Sequence, residues 1–293
     1  MKKINLFTII NVTLLFLFTL TIIYPFIHYL AVSLTDPSYA SQITGLTVIP
    51  KKPTLSVYKS LLSTPSILKA IFNSFFITVL GTFLNITLTI ITAYALAYGK
   101  FPGKKIYTVF LIIPMLFNPG IIPNYMLIKN LHLLNTYWSV ILPGSIDVFY
   151  LMILRGFFMA VPMELYEAAR LDGANHLTMI RKITIPLAKP GIITISFFYA
   201  IRRWNEYFLP LIYISDPNKW PLQTVLRQLL VESDKSAILG AQSVISYGLG
   251  GGTLPFKLIE AGTVILSVLP ILIIYPFLLR YFKEGMMVGS VKG

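Results

Sequence analysis

Apolar residues gather into six runs along the chain, 7–34, 71–98, 106–128, 138–160, 191–214 and 259–282, separated by short clusters of charge. Each run can supply the roughly 20 helical residues that a bilayer's hydrocarbon core requires. The pattern therefore predicts an all-α membrane protein with six transmembrane helices. The first run follows Lys2 and Lys3 as a signal peptide would. It exceeds the roughly 7 to 15 apolar residues of a signal sequence and no small-residue cleavage site follows, so it reads as an uncleaved span. Pro25, Pro114, Pro143-Gly144, Pro210 and Pro270 fall inside runs and predict kinks, which a packed bundle tolerates because neighbouring helices satisfy the freed carbonyls.

Composition sharpens the class. Of 293 residues, 56% are apolar and 12% charged, about half the charge of a soluble domain, which excludes both a water-soluble fold and a disordered chain. With no cysteine there is no thiolate nucleophile, no cysteine-bound zinc and no redox switch. The 24 basic and 11 acidic residues leave +13. In a membrane protein such an excess marks cytoplasmic loops rather than a nucleic-acid partner. Six spans place both termini on one side with the second and fourth loops, and that side holds 13 of the basic residues against nine opposite. Eight of the nine lie in or beside long loops, which translocate largely regardless of charge. Both termini are predicted cytoplasmic, and the last two basic residues, Arg202 and Arg203, fall inside the fifth run.

The loop 161–190, between the fourth and fifth runs, carries its own signals. Pro162 suits a first helical position, Glu164 and Glu167 favour the positive end of a helix dipole, and Gly173 is a natural left-handed terminator. A second short helix through Leu177, Ile180 and Ile183 is predicted to end before Pro186. The pair reads as a helix-turn-helix at the membrane surface whose small residues let another backbone approach closely; periodicity alone equally allows an interfacial connector.

Signs of catalysis are absent from the chain. It holds no G-x-x-x-x-G-K-[ST] phosphate loop and no G-x-S-x-G elbow, and its one glycine cluster, 248–252, lacks the following Lys-Ser/Thr pair. His28, His132 and His176 are scattered without metal-ligand spacing, so no metal site is expected.

At Glu167-Ala168-Ala169, Asp172-Gly173-Ala174, Ile183, Pro186 and Pro190 the chain resembles the EAA loop, E-A-A-x-x-D-G-A, of bacterial ABC-importer permeases. Asn73-Ser74, the 93–97 segment Ala-Tyr-Ala-Leu-Ala, Trp204-Asn205 and the tail from Tyr275 extend the resemblance to the carbohydrate-uptake branch, and within it to importers of complex oligosaccharides. The resemblance implies a single permease domain over 1–293, with a cytoplasmic coupling helix in 161–190 between helices four and five and an extracytoplasmic loop at 215–257. Glu167, Ala168, Ala169, Asp172, Gly173 and Ala174 would dock on an ATP-binding subunit. The implied partners are a second permease, expected to be a different chain, two ATP-binding subunits that hold ATP and Mg, an extracytoplasmic solute-binding protein and an oligosaccharide. The chain itself would carry no cofactor and sit as a multi-pass component of the bacterial inner membrane. The alternative, an ion-coupled secondary sugar transporter, would show inverted halves with matching broken helices, and no such repeat is legible.

Arg202 and Arg203 stand near the middle of the fifth run, where each charge costs about 2.5 to 3.5 kcal/mol on insertion scales. Glu206 lies within helical reach of both, and Asp147, just past the Pro143-Gly144 kink, is a second partner. Two readings stay open. In one, these four residues form an ion network locking two spans. In the other, at least one arginine lines the translocation pathway and meets an anionic group, because its planar fork suits a carboxylate or sulfate. The second implies an acidic, uronate-containing oligosaccharide, with Trp204 stacking on a sugar ring and Asn205 serving hydroxyls; helix packing is the alternative for both.

Overall fold

The computed structural model describes residues 6–99, 101–117, 119–239 and 254–290, and every regular element among them is helical. In chain order these are α1 (Leu6–Ser33), α2 (Ser56–Ser63), α3 (Pro65–Tyr98), α4 (Lys104–Leu116), α5 (Ile121–Asn130), α6 (Trp138–Ile141), α7 (Val148–Met159), α8 (Met163–Leu171), α9 (His176–Met179), a π turn at Ile180–Thr184, α10 (Ile185–Leu187), α11 (Lys189–Trp204), α12 (Phe208–Tyr213), α13 (Leu222–Leu239) and α14 (Phe256–Ser290). Among the described residues three helices are long and apolar enough to cross a membrane, or up to six when each bent pair counts as one span.

The first, second and sixth apolar runs each form one continuous helix. Pro25 lies inside α1 without ending it. The other three runs are broken, and each break has a local cause. Pro114 lies near the end of α4, and Gly120 at φ +87° resumes the chain into α5. In the fourth run Gly144 takes φ +66° and the Asp147 carboxylate accepts the N–H groups of Phe149 and Tyr150, starting α7 afresh. In the fifth run Pro210 cannot donate to the carbonyl of residue 206 and collides with it in a continuous helix, so α11 ends at Trp204 and α12 begins at Phe208. Arg202 and Arg203 thus lie in the last turn of a helix rather than in the middle of one, where the dipole favours cations.

Packing divides the chain into two compact units. Met1–Lys69 with Val225–Pro270 makes the first. Within it, α1 is exposed along its apolar length from Phe7 to Leu30, as a helix facing lipid rather than a core would be. Its end is fastened by Ser33 to the Tyr58 hydroxyl (2.6 Å) and by Thr54 N–H to Leu34 O (2.8 Å). Gly262 of α14 lies against α2 so closely that a Cβ would stand 2.7 Å from Leu61 Cδ1.

Ala70–Thr224 with Ile271–Gly293 makes the second unit. Its main core joins α3, α7, α8 and α11 through Ala93, Leu96, Leu151, Leu154, Phe158, Tyr166, Ile195 and Tyr199. Gly191 permits the α7–α11 approach, since a Cβ there would meet the Phe157 ring at 2.5 Å. A polar knot ties the segment before α13 to the start of α3. The Asn73 amide donates to Asn218 O (2.8 Å) and Trp220 O (3.1 Å), its carbonyl accepts from the Tyr137 hydroxyl (2.9 Å), and Ser74 Oγ accepts from Leu222 N–H (2.7 Å).

Candidate functional site

The two adjacent arginines meet different surroundings, because neighbours on a helix point about 100° apart. Arg203 is only 4% exposed. Its guanidinium donates to the main-chain carbonyls of Val140 (2.6 Å), Ile141 (2.6 Å) and Pro143 (3.3 Å), and to the Asn85 side-chain oxygen (3.1 Å). Gly81 makes the space, for a Cβ there would lie 3.2 Å from Arg203 Nε. The cation is held by backbone dipoles left over at the end of α6 and needs no carboxylate.

Arg202 is half-exposed and pairs with Asp147, Nη1 to Oδ2, at 2.7 Å. Asp147 is itself well anchored: Oδ1 caps α7, and its N–H donates to the buried Tyr199 hydroxyl (2.9 Å), which bonds Thr89 of α3 (2.8 Å). The contact uses one nitrogen end-on. The Nη2 corner lies against Gly144, where a Cβ would stand 3.1 Å away, so the glycine makes room for the guanidinium.

One expected contact is corrected. Glu206 does not bridge the arginines; its Oε1 accepts from Phe208 N–H (3.2 Å) and Leu209 N–H (3.1 Å), capping α12, because the break at 205–207 removes the helical spacing that the ion pair required. Of the two readings left open for Trp204, its surroundings match helix packing. It is 5% exposed and meets Phe75 edge-to-face at 5.1 Å, whereas the adjoining Asn205, capping the end of α11, is exposed. The outer residues of the 202–205 stretch, Arg202 and Asn205, are the ones that reach the surface of the break, and the inner two are buried.

On the loop after α7 the chain turns through 72° into α8. The helix ends in a left-handed cap: Gly173, φ +78°, donates to Arg170 O (3.0 Å) and Ala174 to Ala169 O (2.9 Å). Asn175 Oδ1 then caps α9 by accepting from Thr178 N–H (2.9 Å). Pro186 does not end the second helix. The π turn shifts the register, with Ile185 N–H bonding Ile180 O, and places Pro186 in a new first turn where its missing N–H is not called on. A bend of 88° follows into α11. Glu164, Glu167, Ala168, Asp172 and Gly173 are exposed, Ala169 and Ala174 are half-buried against the core, and Tyr166 is turned inward. The glycine cluster 248–252 lies outside the described residues.

Apolar helices broken at capped positions, with charges gathered at those breaks, define a helical protein of the membrane-spanning class. Residues 5–287 match the family described as the binding-protein-dependent transport system inner membrane component, and the chain belongs to that family. It is 40% identical over 271 residues to protein LplC of Bacillus subtilis (strain 168), covering 92% of this chain and 90% of the relative. It is 36% identical over 291 residues to the polygalacturonan/rhamnogalacturonan transport system permease protein YtcP of the same organism, covering 99% of this chain and 100% of the relative. A solved structure of a bacterial ABC transporter involved in the import of the acidic polysaccharide alginate superposes with a TM-score of 0.84 at 27% identity, over 96% of this chain and 98% of the other. The protein is thus a permease of an ABC import system in the inner membrane, a transport subunit rather than an ATPase.

Asn85, Gly81, Tyr199 and Thr89 complete the site and were not singled out from sequence. Asn85 had a legible signal, an amide in the middle of an apolar run, where a polar group must find a partner.

Proposed function

We propose that this permease forms one half of a pore that imports acidic oligosaccharides, with Arg202 as the residue that meets the substrate's carboxylate. The observation carrying the proposal is the half-exposed Arg202 guanidinium, held by Asp147 through Nη1 alone and lying beside the exposed Asn205. A side-on guanidinium edge matches a uronate carboxylate in two parallel hydrogen bonds. Asn205 offers a donor and an acceptor to sugar hydroxyls. Arg203, Trp204 and Glu206 hold the break in shape around them. A relative named for polygalacturonan and a structural neighbour named for alginate support an acidic cargo.

The bent helix pairs are read as single spans, giving six crossings with both termini and 161–190 in the cytoplasm. There Glu167, Ala168, Ala169, Asp172, Gly173 and Ala174 dock on one of two ATP-binding subunits that hold ATP and Mg. A second, different permease completes the pore, and a solute-binding protein delivers cargo at 215–257. Nucleotide-driven closure favours one of two conformations of the broken spans.

Uptake of oligogalacturonates and of neutral oligosaccharides of equal length by complexes carrying Arg202→Ala tests the assignment. Loss of one charged hydrogen-bonding group, worth about 1.5 to 3 kcal/mol, lowers charged-substrate uptake by roughly 10- to 150-fold and leaves neutral uptake near its starting value. An unaltered preference for the charged sugar overturns it.

A further inference from the structure

One side chain of the surface helix α8 is fully buried. Tyr166 is 1% exposed, and its hydroxyl shares a hydrogen bond with Thr184 Oγ1 in the π turn (2.8 Å). Its ring lies against that of Tyr98 with centroids 4.0 Å apart, and Tyr98 sits in the last turn of α3. The Tyr98 hydroxyl donates to Phe158 O at the end of α7, and Tyr94, one turn earlier, meets His176 Nδ1 of α9 at 3.0 Å. Farther along the same helix Thr89 bonds Tyr199, and Asn85 and Gly81 receive Arg203. From Tyr98 to Asn85 is about 20 Å of unbroken helix. One rigid element therefore holds the surface helix pair at one end and, at the other, the α6 end and Asp147 segment from which Arg202 is positioned.

α7 and α11 join the loop through the chain itself, across bends of 72° and 88°. α3 joins it only through side chains. We infer that the Tyr98–Tyr166 ring contact is the coupling contact that makes α3 move with α8, so that nucleotide-driven displacement of the loop reaches the Arg203 clamp and the Asp147–Arg202 pair. Tyr98 and Tyr166 are positioning residues: neither meets cargo or nucleotide. The inference rests on the reading of 161–190 as the docking loop.

The test uses the complete importer in proteoliposomes with its binding protein and an oligogalacturonate, measuring sugar imported per ATP hydrolysed. Tyr98→Leu, which removes the ring, lowers that ratio about fivefold or more, the lower end of usual coupling energies, while complex yield and ATPase rate stay within about twofold. Tyr98→Phe keeps the ring and restores the ratio. If Tyr98→Leu does not assemble, Tyr98→Met fills the same space without a ring and serves in its place. An unchanged ratio in the ringless variant overturns the inference, and so does a parallel fall of import, ATPase rate and yield, which marks a purely structural residue. A wild-type complex whose ATPase does not respond to loaded binding protein overturns the docking-loop reading instead.

Discussion

Replacing each of the two adjacent arginines by methionine separates their roles by stability alone. Arg203→Met removes the donor from the carbonyls of Val140 and Ile141, both bonded at 2.6 Å, and from Asn85 at 3.1 Å. A buried acceptor left without its donor costs about 1 to 3 kcal/mol. These three fully buried acceptors give about 3 to 9 kcal/mol, leaving aside the longer, part-buried bond to Pro143 O, but the variant also escapes the desolvation that a buried guanidinium suffers, which offsets several kcal/mol. About 3 kcal/mol is the working figure. Arg202→Met removes one ion pair whose side chains are 45% and 26% exposed. Pairs of that exposure contribute about 0.2 to 1 kcal/mol once solvent screening is counted. At about 2 to 4 °C per kcal/mol, the first variant melts about 6 to 12 °C lower and the second no more than about 4 °C lower. Thermal unfolding of the detergent-solubilised complex, followed by loss of monodispersity on size exclusion, reads both. Arg203→Lys falls between, since an ammonium cannot span all the acceptors. Equal shifts for the two methionine variants, or a larger one for Arg202→Met, refute the division into buried clamp and half-exposed ion pair.

Two further outcomes follow from geometry elsewhere. Asn73→Ala removes three hydrogen bonds from the knot before α13, so limited proteolysis between residues 214 and 222 quickens while the loop 161–190 keeps its wild-type cleavage pattern; equal cutting at both places counts against the knot. The Asp36 carboxyl, accepting from the Ser38 hydroxyl and N–H, is held below its ordinary value of 3.8, so the contact is present above that value and is lost as pH falls through the depressed folded one. Ser38→Ala raises the midpoint toward 3.8 in an NMR titration of the carboxyl carbon, and an unmoved midpoint contradicts the assignment.

Hydrophobic runs revealed α1 nearly to its ends and the apolar bodies of α3 and α14, because length and apolarity decide such helices; α3 starts earlier, at Pro65, and α14 runs on to Ser290, past the apolar stretches. Gly173 announced its left-handed cap for a similar reason, since few other residues accept that conformation. The breaks at 142–147 and 205–207 were legible only as kinks. What turns a kink into a break is a competing side-chain cap, and Asp147 and Glu206 read equally well as ion-pair partners until the backbone path is known. Arg202 found a carboxylate that pattern could name. Arg203 did not, because its acceptors are mostly carbonyls, which every residue carries. Tyr98 and Tyr166, 68 positions apart in the chain, gave no sign of contact, for a ring contact across a bundle leaves no period in the sequence.

That anonymity of the Arg203 acceptors bears on how such a subunit can diverge. A cation matched to a carboxylate ties two residue types together, so drift at one demands drift at the other. Here the side chains at positions 140, 141 and 143 take no part in holding the charge and are free to vary as far as packing allows. Only Asn85, by its amide oxygen, and Gly81, by having no side chain, are bound to the arginine by identity. A search of related permeases for an acidic residue that appears and disappears with this arginine would accordingly return none, and the pairs to examine are 203 with 85 and 203 with 81.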